Sequence, residues 1–182
     1  MLNLQLAKKY AVAMFEVAQD DDKLVPYGKQ LADIRELFET QPLLRSFLGD
    51  PQVQPADKKQ LLDKVMGSDV DKSVHNFMML LIDKHRISLI KEIVGEYEAL
   101  SNQARNILVA HVTTAAALDQ KQQTALTAKL KAITGKDIQL KTHINPSIIG
   151  GMVVKMGDRL IDGSVTSQIK SLEKQLMANQ VI

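Results

Sequence analysis

The sequence predicts a mainly α chain with a small α+β part: an N-terminal six-helix bundle over residues 1–104, then a small mixed sheet with two helices over 105–182. Three observations carry that expectation. Apolar residues recur at helical spacing through the first hundred positions, with proline and glycine between the stripes. After about Ala104 the period drops from 3.6 toward 2. Four of the nine glycines fall in residues 144–165, INPSIIGGMVVKMGDRLIDGSV.

The first helix carries Leu4, Ala7, Ala11, Met14, Phe15 and Ala18 as one apolar stripe, and Leu6, Tyr10, Ala13 and Val17 extend it sideways. At about 100° per residue the apolar arc covers roughly 200°, more than a helix coating a single core requires. Two explanations stay open: a central helix of the bundle, or a helix with its own core on one side and a foreign helix on the other. Asp20-Asp21-Asp22 ends it as a solvated turn, lacking the alternating oxygens and central glycine of a calcium loop. Pro26 suits the first turn of a second helix, with Leu31, Ile34, Leu37 and Phe38 inward. Pro42 begins a short third helix, stopped at Gly49-Asp50-Pro51. Pro55 begins a fourth, burying Leu61, Leu62, Val65 and Met66 and stopped by Gly67. The fifth starts near Asp71 and contains FMMLLI, residues 77–82, whose six apolar side chains cover every face. It is either fully buried or shared with a partner. His85-Arg86 ends it, and Ser88 is placed to cap a sixth helix carrying Leu89, Ile90, Ile93, Val94, Tyr97 and Leu100.

In the second half, Ile107 to Thr113 reads as a strand. Asp119 with Gln122 resembles a capping box, followed by Leu126, Leu130 and Ile133 at helical spacing and Gly135 past the helix end. DIQLKTHI alternates as a half-buried strand, with Ile138, Leu140 and Ile144 on one face. Gly150 and Gly151 let the chain enter a strand, and Gly157-Asp158 makes a two-residue hairpin pairing Val154 with Ile161 and Met156 with Arg159. Met152, Val154, Met156 and Ile161 then share an apolar face; Gly163 breaks the strand before a last helix with Val165, Ile169, Leu172 and Leu176. The glycines fit neither the G-x-x-x-x-G-K-[ST] nor the G-x-G-x-x-G phosphate loop, and an Asp beside a glycine repels phosphate.

Composition narrows the function. With 45% hydrophobic and 24% charged residues the chain is globular, and without cysteine it has no disulfide, thiolate nucleophile or Cys-ligated metal. No apolar run approaches the roughly 18 residues of a membrane span, and the N-terminus does not read as a secretory signal. Residues 1–104 carry a net charge of −3 and residues 105–182 a net +5, as if the halves faced different partners. His75, His85, His111 and His143 show no metal-ligand spacing, and no G-x-S-x-G elbow is present. Catalytic, cofactor and metal sites are therefore not expected. The basic half admits a nucleic-acid-binding helical module as the alternative, against which the 4% aromatic content counts.

KYAVAMFEVA (9–18), NFMMLLIDKHRISLIKEIVGEY (76–97) and NPSIIGGMVVKMGDRLIDGSV (145–165) resemble, in order, segments of the delta subunit of rotary ATP synthases, bacterial counterpart of the mitochondrial oligomycin sensitivity-conferring protein. Departures are small: Lys9 where the family often has Arg, and Asn145 where Asp is common. The resemblance implies a non-catalytic connector at the end of the peripheral stalk, one copy per complex, needing no cofactor and no nucleic acid. It implies attachment at the cytoplasmic face of the cell membrane without direct membrane insertion. It further implies that the first and fifth helices hold the N-terminal helix of an alpha subunit, and that the C-terminal part meets the stalk b subunits. The anchors expected for the alpha helix are Ala7, Tyr10, Ala11, Met14 and Phe15 with Phe77, Met78 and Leu81. For the stalk side they are Leu172, Leu176 and Met177.

Overall fold

A computed structural model describes residues 2–67 and 69–178, with the side chains of Leu2 and residues 174–178 outside that description. The fold is mainly helical with a small four-stranded mixed sheet, in two compact units, Met1–Ser101 and Asn102–Ile182.

The first unit is built from α1 (Leu2–Asp20), α2 (Leu24–Thr40), α3 (Pro42–Gly49), α4 (Pro55–Met66), α5 (Lys72–Asp83) and α6 (Ile90–Ala104). All six helices feed one apolar core, including Ala7, Ala11, Met14 and Ala18 from α1 and Val74, Met78, Leu81 and Ile82 from α5. The turn after α1 closes through Lys23 N–H to the Ala18 carbonyl at 2.8 Å, with Asp22 left-handed at φ 54°. The turn after α5 repeats it: Arg86 N–H reaches the Leu81 carbonyl at 2.8 Å over a left-handed His85. Tyr97 of α6 is fully buried, donates its hydroxyl to the Leu24 carbonyl at 2.9 Å and meets Phe15 edge-on at 6.4 Å. Burial pushes its phenol up to about 12.

Three details differ from the sequence expectation. Tyr27 is buried on α2 while Leu37 is half-buried, because Tyr27 can send its hydroxyl to Asp21 at 2.6 Å. On α4 only Leu62 of the four expected residues is fully buried, Leu61 and Met66 being half-buried and Val65 exposed; Lys58 is buried as well, its stem covering apolar surface while its ammonium donates to the Asp50 carbonyl at 2.5 Å. Ser88 caps nothing: Ile87–Leu89 form a 3-10 turn that buries Ile87 and Leu89, and α6 continues from it at Ile90.

The second unit holds β1 (Ile107–Thr114), α7 (Gln120–Thr134), β2 (Asp137–Ile144), β3 (Met152–Met156), β4 (Arg159–Asp162) and α8 (Val165–Ala178). Strand order is β2-β1-β3-β4; β1 and β2 are parallel across the α7 crossover, and the other pairs are antiparallel. The Asp119–Gln122 capping box forms with bonds of 2.7 and 3.0 Å, and Gly135 closes α7 at φ 68°. Ala110, Val112, Val154 and Met156 pack with Leu130 of α7 on one sheet face. The hairpin register matches the expectation, Val154 opposite Ile161 and Met156 opposite Arg159. Ile161 and Ile144 nevertheless stay about half exposed, because one lies on edge strand β4 and the other at the far end of edge strand β2.

The glycines are structural. Gly163 N–H donates to the Met152 carbonyl at 2.9 Å, and Val165 N–H to the Gly150 carbonyl at 3.0 Å, stitching the two ends of the hairpin. Gly151 sits at φ 75°, and a Cβ there would lie 2.2 Å from the Gly163 carbonyl oxygen. Gly135 has the same backbone sign but open space around it. Gly135→Ala is expected to cost about 1 kcal/mol, the left-handed penalty alone. Gly151→Ala adds a backbone clash and is expected to cost about 3 kcal/mol or more. Urea midpoints of the two variants check the difference.

Candidate functional site

Helix α1 carries two apolar stripes one residue apart. Ala7, Ala11, Met14 and Ala18 face the core; Leu6, Tyr10, Ala13 and Val17 repeat the same 4-3-4 spacing about 100° around the helix. Ser73, at the start of α5, donates its hydroxyl to Asp21 just beyond the end of α1, at 3.2 Å, so the two helices run antiparallel. Between them lies an open groove of about 620 Å³. The second α1 stripe forms one wall; Ser73, Asn76 and Leu80 form the other; Met14 and Phe77 make the floor; Lys9 stands at the rim. Val17 and Leu80 are each 42% exposed although nothing polar calls them to the surface.

Of the eight residues expected to contact a foreign helix, the groove brings together Tyr10, Met14 and Phe77. Ala7, Ala11, Met78 and Leu81 are fully buried in the core and present no surface to it. Phe15 is half-buried against Tyr97. Leu6, Ala13, Val17 and Leu80 are the apolar lining residues absent from that set. Their signal was the sideways extension of the α1 stripe, and Leu80 is the one position of FMMLLI turned most to solvent. On the second unit, Leu172 is 59% exposed on α8, with Ile169 beside it one turn earlier also exposed. The side chains of Leu176 and Met177 lie outside the described residues.

A polar network closes one end of the groove. Lys23 pairs with Asp71 at 2.6 Å; Gln30 donates to the other Asp71 oxygen at 3.2 Å and accepts from Asp71 N–H at 3.1 Å. Asp21 accepts from both Tyr27 and Ser73. The turn after α1, the first half of α2 and the start of α5 are thereby held together, which fixes the spacing of the groove walls there. The hydrogen bond from Lys23, followed by its charge, holds the Asp71 carboxyl below its ordinary value of 3.8.

Comparison with known proteins agrees in family and fold. A family model described as ATP synthase delta (OSCP) subunit matches residues 6–176. The chain is 35% identical over 178 residues to ATP synthase subunit delta of Desulforamulus reducens, covering 98% of each. It is 33% identical over 176 residues to that of Gloeothece citriformis, covering 96% of each. Among solved structures, a chain of the Toxoplasma gondii mitochondrial ATP synthase hexamer superposes with a TM-score of 0.73 over 94% of this chain and 97% of that one, a likeness of fold at 23% identity.

Because the Asp71 carboxyl is lowered in the folded state, its contribution to stability is whole above 3.8 and is lost as pH falls through the lowered value. Asp71→Asn is expected to remove that part of the acid sensitivity. Urea midpoints followed from about pH 6 to about pH 3 check it, with the gap between wild type and variant narrowing toward acid.

Proposed function

The chain belongs to the ATP synthase delta (OSCP) subunit family, and from that premise we propose that its six N-terminal helices act as a bundle whose α1–α5 groove holds the N-terminal helix of an alpha subunit. The family is a non-catalytic component of the peripheral stalk of the F-type ATP synthase, and nothing in it supports a nucleic-acid module. The chain's work is mechanical. The rotor exerts torque on the catalytic head, and the head turns with it unless tied to the stator. Ion flow through the membrane sector is coupled to ATP synthesis only while that tie holds.

The observation that carries the proposal is the open apolar groove on the two helices whose apolar coverage exceeds one core. From Leu6 to Val17 is eleven residues, or about 16 Å of helix, so a guest helix lies along it for about three turns. Three or four apolar anchors at i, i+3/i+4, i+7 and i+11 fill such a length. Each buried anchor contributes about 1.5–3 kcal/mol, and the cost of ordering and association takes back a large part. Ala13, small and facing the groove, lets the guest backbone come close.

For the stalk side we place the b subunits on α8, where Ile169 and Leu172 are exposed and Leu176 and Met177 continue the stripe in sequence. Among the described residues no helix is long and apolar enough to cross a membrane. Attachment at the cytoplasmic face of the cell membrane then runs through these partners, one copy per complex.

Ala13→Asp and Leu80→Glu are expected to weaken a peptide of the alpha N-terminus at least about tenfold while helical circular dichroism stays unchanged. Calorimetric titration checks this, and unchanged affinity contradicts the groove. Leu172→Glu is expected to abolish capture of the soluble stalk segment and leave alpha-peptide affinity untouched; a surface immobilised with that segment reads it. Equal loss of both partners from one variant contradicts the division of labour.

A further inference from the structure

Among the described residues four non-glycines have a left-handed backbone: Asp22, His85, Asn106 and Ile149. The first three belong to the residue types that enter that region most readily after glycine. Ile149 is β-branched, and it sits at φ 65° and ψ −44°. Gly150 N–H closes a three-residue turn around it on the Ile148 carbonyl, at 2.7 Å. Such a turn is rare and strained, and the left-handed state is disfavoured about five- to thirtyfold for a residue other than glycine. Burial does not offset this, since the Ile149 side chain is 67% exposed.

The contacts that hold the turn come from both sides of it. On one side, the Asn145 side chain accepts from Ser147 N–H at 3.1 Å and from the Ser147 hydroxyl at 2.7 Å, and Ile149 N–H donates to the Pro146 carbonyl at 3.0 Å. On the other stands the first turn of α8. Val165 N–H donates to the Gly150 carbonyl at 3.0 Å, and the Thr166 hydroxyl to the Ser147 carbonyl at 3.3 Å. A Cβ on Gly150 would lie 3.2 Å from Val165 Cγ2. Past this turn the helix is uncovered: every side chain from Gln168 to Glu173 is exposed, Ile169 and Leu172 included.

We propose that residues 145–150 form a latch on the first turn of α8, and that the strain at Ile149 keeps the latch weak. When the bonds to Val165 and Thr166 part, Ile149 is free to return to a negative φ. Strain present only in the closed state raises the open population by the same five- to thirtyfold. Glycine or asparagine would hold the same turn at lower cost and close the latch more firmly. Opening leaves the chain tied just ahead of α8, where Gly163 N–H is bonded to the Met152 carbonyl and Ser164 is buried, so the helix pivots there. Elements with few buried contacts open in this way, well below the global stability. The use of such a pivot rests on the α8 reading above: the stripe of Ile169 and Leu172 meets its partner over a range of directions, and the joint yields under load without unfolding.

Hydrogen exchange of the free full chain, read by NMR at the Val165 amide, tests the latch. In the wild type this amide is expected to exchange at least about tenfold faster than the slowest amides of the β1–β3 ladder, which marks a local opening. Ile149→Asn and Ile149→Gly are expected to slow it about five- to thirtyfold. Ile149→Val, equally β-branched, is expected to leave it within about twofold. No stalk segment is present, so the result is independent of the Leu172→Glu experiment. A Val165 amide that exchanges no faster than the ladder, a rate that neither Asn nor Gly slows by about fivefold, or an equal slowing in Ile149→Val overturns the proposal.

Discussion

A single α-helix can press one face into one core. In α1 the inward face is taken by Ala7, Ala11, Met14 and Ala18, small enough for close approach to its neighbours. The residues immediately before each of the four, namely Leu6, Tyr10, Ala13 and Val17, form a second stripe that cannot turn fully inward at the same time. That geometric conflict is the constraint from which the rest of the molecule follows. It leaves apolar surface beside α5, whose own inward positions are filled by Val74, Met78, Leu81 and Ile82. A groove of about 620 Å³ is the result.

A joint under load needs walls that do not spread. The network of Asp21, Lys23, Tyr27, Gln30, Asp71 and Ser73 ties the turn after α1 to α2 and α5 at one end. Its exposed ion pair contributes little energy by itself; its use is in fixing where α5 begins. Elsewhere in the same core, buried Tyr97 meets Phe15 from α1 and the Leu24 carbonyl from α2. These contacts tie the α1 wall to α2 and α6, and rigidity there spares a guest helix part of the ordering cost.

Much of the architecture was legible because local chemistry and tertiary demand agree there. The Asp119–Gln122 box, the left-handed Gly135 and the Gly157 hairpin register each depend on a few adjacent residues. What escaped depends on distant partners. Lys58 is buried because the Asp50 carbonyl waits at the end of α3, which no spacing rule within α4 reveals. Ser88 looked like a cap, yet burial of Ile87 and Leu89 wins by drawing the chain into a 3-10 turn. The groove was visible as an excess of apolar arc on α1, and the family resemblance named the same two helices. Periodicity alone could not say which stripe faces in, so Ala7 and Ala11 were put at the surface they do not reach. Only the packed structure separates Ala11 from Ala13.

That separation also gives the sharpest test. Isotope-edited NMR of the chain bound to an alpha N-terminal peptide reads distances from the guest to individual methyl groups. The account predicts intermolecular contacts to the methyls of Ala13, Val17 and Leu80, with none to Ala7 or Ala11. Contacts confined to another face, or reaching Ala7 and Ala11 instead, would contradict it.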